Sequence, residues 1–84
     1  MDKDSDLYRT LVEEGALIAE GFDEAIIGIG YQFNKAVVVY NYDKCVEVLA
    51  KDMSFEEAEE FFEYNVLGSY VGEKTPVFLK IFKE

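Results

Sequence analysis

Between Ser54 and Gly68 the chain reads SFEEAEEFFEYNVLG, and a helix is the arrangement that separates these glutamates from these large apolar side chains. Ser54 and Glu57 form the S-x-x-E pattern in which each side chain satisfies a backbone N–H of the first turn. Phe55, Ala58, Phe61, Phe62 and Val66 are predicted to face inward and Glu56, Glu59, Glu60 and Glu63 outward, with Gly68 ending the helix. A helix with one apolar stripe needs a second layer to bury it.

Two runs supply that layer. Ala25 to Tyr31 (AIIGIGY) and Ala36 to Tyr40 (AVVVY) are β-branched and aromatic, and Gln32 to Lys35 between them suits a hairpin loop. The second run lacks polar alternation, which predicts a strand covered on both faces or central in its sheet. Gly28 and Gly30, two apart, leave one face of the first strand bare, open to a helix, a ligand or a second subunit. Pro76 opens a third strand, Val77 to Phe82, with Val77, Leu79 and Ile81 on one face and Phe78, Lys80 and Phe82 on the other.

Ser5 or Asp6 can cap a first helix carrying Leu7, Leu11, Val12, Ile18 and Ala19; the pattern predicts continuation through Gly15 to about Glu20. Asn41 or Asp43 can cap another, in which Tyr42, Cys45, Val46, Leu49 and Met53 share a face. The expected fold is α+β: a small, mostly antiparallel three-stranded sheet packed with helices in the order α-β-β-α-α-β. Residues 1–84 form one domain, with 1–5 flexible.

Aspartate and glutamate outnumber lysine and arginine by 18 to 8, giving a formal charge of −10 that repels phosphate backbones and anionic lipids and favours basic partners. Direct nucleic-acid or membrane binding is therefore not expected, and no apolar run approaches the roughly 18 residues of a membrane span. One cysteine and no signal-peptide pattern point to the cytoplasm.

Candidate chemistry is sparse. Asp2, Asp4, Asp6 and Glu13 echo a calcium loop, but Leu7 stands where its sharp turn needs glycine. Cys45 has no histidine anywhere in the chain to activate it and is read as a buried structural thiol. The Gly28–Gly30 pair lies inside a strand pattern and is no phosphate loop. No catalytic residue, metal site or cofactor is expected, and the chain is read as a non-enzyme.

The acidic helix face remains. Residues three or four apart stand roughly 5 to 6 Å from each other, so Glu56, Glu59, Glu60 and Glu63 make a row of charge able to imitate successive phosphates. A solvated face that keeps the protein soluble is the alternative.

The segment from Val39 to Pro76 carries YNYDKCVEVL and then DMSFEEAEEFFEYNVLGSYVGEKTP. It resembles a group of small proteins found in bacteriophage and prophage genomes, through Y-x-Y-x-K-C, E-E-A-x-E-[FY]-F and N-V-x-G-x-[YW]-V-G-E-x-T-P. The matching positions are Tyr40, Tyr42, Lys44, Cys45, Asn65, Gly68, Tyr70, Gly72, Glu73, Thr75 and Pro76. Asn65 is expected to bond free carbonyls at a helix end, and Gly68 and Gly72 to suit positive φ. Tyr70 and Glu73 fall on a surface loop as candidate contacts.

The resemblance implies phage origin and raises the prior on interference with host machinery. The leading expectation is an acidic inhibitor, of the anti-CRISPR or anti-restriction kind and possible as a nucleic-acid mimic, that binds a basic host protein such as a nuclease or effector complex. Its contacts would be Glu56, Glu59, Glu60, Glu63, Tyr70 and Glu73. The alternatives are a small oligomeric module, such as a homodimer pairing through exposed aromatics or the edge at Val77 to Phe82, and a small-ligand sponge at Gly28 and Gly30.

Overall fold

In the computed structural model, which describes residues 5–69 and 71–83, the Ser5 hydroxyl accepts the Tyr8 N–H at 3.1 Å and caps α1 (Asp6–Glu14). The expectation that this helix continues to about Glu20 is corrected. Gly15 takes φ 68° and its N–H bonds carbonyls of the preceding turn, so the chain leaves the helix there. Two distant groups hold the departing chain: the Ala19 N–H donates to the Tyr40 phenol oxygen at 2.8 Å, and the Lys74 ammonium donates to the Glu14 carbonyl at 2.8 Å. The lysine also places a cation at the negative end of the helix. Apart from Ser5, the segment expected to be flexible lies outside the described residues.

After a 3₁₀ turn at Asp23–Ala25, β1 (Ile26–Gln32) pairs antiparallel with β2 (Lys35–Asn41) through a two-residue loop, Phe33 and Asn34. Ile26 stands opposite Tyr40 and Gly28 opposite Val39, which leaves Ile27 as a bulge. β2 is the central strand, with Ala36, Val37, Val38 and Tyr40 buried, as its unbroken apolar run implied. It passes directly into α2 (Tyr42–Leu49), where the Asn41 side-chain oxygen accepts the Lys44 N–H at 3.0 Å.

The Ser54–Glu57 capping box is present at the start of α3 (Phe55–Phe62), whose end widens into a π-helical turn, Glu63–Leu67. The Asn65 amide donates to the Phe61 carbonyl at 3.1 Å, as a residue near a helix end was expected to do. Gly68 does not take the expected positive φ: it sits at −80°, and a Cβ there would stand 3.4 Å from the Glu63 carbonyl, an ordinary contact, so neither backbone nor space demands glycine.

β3 (Val77–Leu79) lies parallel to β2, with Phe78 opposite Tyr40 and Leu79 opposite Asn41, so the α+β fold has the expected element order and a mixed sheet, β1-β2-β3. The parallel pairing is possible because α2 and α3 carry the chain back to the same end of the sheet. The third strand is shorter than Val77 to Phe82 because β2 turns into α2 after Asn41, leaving no ladder for residues beyond Leu79.

Residues of all three helices share one core with Val38 and Tyr40. The Phe62 ring stands edge-on to Tyr42 at 5.0 Å, to Phe78 at 5.1 Å and to Phe22 at 6.1 Å, and Tyr40 stacks on Phe78 at 5.4 Å. The expected inner face of α3 is corrected at two positions: Ala58 and Phe62 are buried and Val66 packs against them, whereas Phe55 is 57% and Phe61 44% exposed. The core is one helical stripe wide, and these two rings flank it on the solvent side.

Candidate functional site

The outer side of α3 is built by the same capping box that starts the helix, since Ser54 and Glu57 set the phase of every later residue. Glu56, Glu60 and Glu63 are exposed and Glu59 is half-buried. Among the described residues no lysine or arginine forms an ion pair with any of the four. The row is therefore largely uncompensated charge.

The two ends of this face differ. On the α2 side, the Tyr42 hydroxyl donates to Glu63 at 2.6 Å. That hydrogen bond, followed by burial and the charges of Glu63, Glu59 and Asp43, pushes the phenol up to about 12. The Lys80 ammonium lies 4.9 Å from the centre of the Tyr42 ring. On the opposite side, Phe61 and Tyr64 stand among Met53, Glu57, Glu60 and Asn65 around an open groove of about 430 Å³. Tyr64 is 85% exposed.

Sequence reasoning found the four glutamates but missed the rings beside them. The 3.6-residue period assigned Phe61 to the core, and Tyr64 follows the start of the π-helical turn, where that period no longer holds. It also missed Tyr42 as the partner of Glu63, a contact between residues 21 apart in the chain.

Glu73 lies on a different part of the surface, where its carboxylate meets the Lys35 ammonium at 2.8 Å and is held below the usual carboxylate range by that bond. Tyr70 lies outside the described residues. The rest of the G-E-x-T-P segment is a closed turn: Gly72 takes φ 110°, the Thr75 hydroxyl donates to the Gly72 carbonyl at 2.6 Å, and the same oxygen accepts the Val71 N–H at 2.9 Å. These motif residues shape the loop that delivers Pro76 to β3.

Cys45 is fully buried and its thiol is pushed up to about 11 by desolvation, which suits packing rather than thiolate chemistry. Among the described residues no group of three or more His, Cys, Asp or Glu is arranged to hold a metal ion. No helix among them is long and apolar enough to cross a membrane. Of the residues that echo a calcium loop in the sequence, Asp2 and Asp4 fall outside the described residues. Comparison with protein-family models, curated proteins and solved structures found no match to this chain.

Proposed function

We propose that the chain is a non-catalytic, phage-encoded binding protein that uses the outer face of α3 to cover a basic surface on a host nucleic-acid-handling or defence protein in the host cytoplasm. The observation that carries this reading is the groove in which the uncompensated carboxylate of Glu60 stands with the exposed rings of Phe61 and Tyr64, on the same helix as the exposed Glu56 and Glu63. Carboxylates alone attract any cation. Carboxylates beside an aromatic face favour arginine, whose guanidinium can bond the one and stack on the other. Arginine-lined channels that hold phosphates are surfaces of this chemistry, and a row of charge at helical pitch competes for them.

The test is capture from bacterial lysate by the wild-type chain beside a variant carrying Glu56→Gln, Glu59→Gln, Glu60→Gln and Glu63→Gln, with circular dichroism to verify folding. Retention of a basic nucleic-acid-handling protein by the first and its loss by the second is the expected result. The isolated pair should weaken by about tenfold or more between roughly 50 and 500 mM salt, because exposed charge is screened over that range. Equal capture by both chains, or affinity indifferent to salt, would refute the acidic face as the binding surface.

A further inference from the structure

We propose that the face of the sheet turned away from the helices is the interface of a symmetric homodimer, with Phe33 of each copy seated beside Val37 and Pro76 of the other. The inference stands apart from the acidic-face reading and uses the opposite side of the molecule. In a β-ladder, paired residues share a face. Gly28 with Val39, Gly30 with Val37, and Val77 with Val39 therefore lie on the side opposite Val38 and Tyr40, where the helices pack. Among the described residues no helix covers this side; Val37 is buried there next to the loop from Gly72 to Pro76, whereas Val77 and Leu79 are 45% and 44% exposed.

Shape on this face is self-complementary. A Cβ placed on Gly28 would meet nothing within 4 Å, so β1 presents a depression there, while Val77 and Leu79 form a ridge on β3 at the other edge of the sheet. A two-fold axis along the central strand lays β1 of one copy over β3 of the other, so ridge meets depression twice. The same rotation brings the hairpin tip of one copy to a groove of about 660 Å³ in the other, lined by Phe33, Lys35, Val37, Pro76 and Val77.

Phe33 is the second observation. It is 95% exposed at the tip, with φ 58°, the first loop position of a tight hairpin, where glycine is the usual residue. A large apolar side chain held outward on an unfavourable backbone is almost bare in the single chain, and in the dimer it enters the partner's groove.

Area and charge fit a second copy. The exposed parts of Phe33, Val77 and Leu79 amount to roughly 300 to 400 Å², most of the apolar half of the about 800 Å² per partner that a stable interface covers. The carboxylate on the groove, Glu73, is already matched by Lys35. The acidic helix layers would stand about 30 Å apart on the outside of the dimer, well beyond the roughly 8 Å screening length at physiological salt.

The experiment is sedimentation equilibrium of the full chain from about 5 to about 500 µM, at low and at high salt, for wild type, Leu79→Glu and Phe33→Gly. Phe33→Gly suits the left-handed backbone and so keeps the hairpin, while Leu79→Glu places charge on the ridge. Wild type is expected to rise from 9.6 kDa to twice that mass, with association no weaker at high salt. Each variant is expected to dissociate roughly 100-fold more readily while retaining its circular dichroism. A wild type that stays monomeric over the range, or a dimer that survives either substitution undiminished, overturns the proposal.

Discussion

The two strand glycines make one chemical change testable with opposite signs. At Gly30 an added Cβ would stand 2.9 Å from Val39 Cγ2, whereas at Gly28 it would meet nothing within 4 Å. Carbon atoms pack best at about 3.5 to 4.0 Å, so Gly30→Ala forces Val39 to give way by more than half an ångström. Val39 is β-branched, stiff at χ1 and on the central strand, and overpacking at such a site costs about 1 to 3 kcal/mol. Alanine returns about 0.4 to 1 kcal/mol by restricting the unfolded chain.

The net expectation is a loss of about 1 kcal/mol for Gly30→Ala and a gain of about 0.5 kcal/mol for Gly28→Ala. At about 4 to 8 °C per kcal/mol for a domain of this size, the two melting temperatures should differ by roughly 6 to 12 °C. Thermal and urea unfolding at low micromolar protein, where self-association does not enter, measures this. Val39→Ala should remove most of the penalty, giving a double-mutant coupling of about 1 kcal/mol. A Gly30→Ala chain as stable as Gly28→Ala, or the absence of coupling to Val39, would refute the reasoning.

Phe62→Ala should be severe: the ring touches three aromatic partners in the core, truncation at such sites costs about 3 to 5 kcal/mol, and a chain of 84 residues has roughly 4 to 12 kcal/mol in all. Urea titration should find it unfolded or nearly so at low denaturant, and a shift of less than 1 kcal/mol would count against Phe62 as the centre of the core. Tyr42→Phe removes the bond to Glu63 and should lower stability by about 1 kcal/mol at neutral pH, the hydroxyl emerging beside an exposed, solvent-screened carboxylate. Because the folded phenol is pushed up to about 12 from about 10 in the unfolded chain, its contribution is complete below pH 10 and is lost as pH rises from 10 through 12. The wild-type minus Tyr42→Phe difference in urea midpoint should shrink over that interval, and a constant difference would exclude the linkage.

Local chemistry was legible in the residues themselves. Ser54 and Glu57 can satisfy each other's backbone donors without help from elsewhere, and Asn41 caps α2 in the same way, so these boundaries appear where the sequence places them. The apolar run of β2 likewise declares a central strand. What failed were judgements about partners far away in the chain. Leu7, Leu11, Ile18 and Ala19 fit one helical period, yet Gly15 ends α1 because the Tyr40 phenol and the Lys74 ammonium take up the polar groups that a longer helix would have satisfied within itself. Phe61 carries the same apolar signal as Phe62, and only the width of the core decides that one is buried and the other stands among glutamates.

The sequence by itself determined the element order, the acidic row on α3 and the bare strip at Gly28, because caps, periodicity and a missing Cβ act within a few residues. The parallel docking of β3, the Tyr42–Glu63 bond, the exposure of Phe61 and the side of the sheet that no helix packs on were decided by the tertiary structure. Each depends on which surfaces meet after the chain returns on itself, and among the described residues the helices pack on one side of the sheet and leave the other without a helical layer.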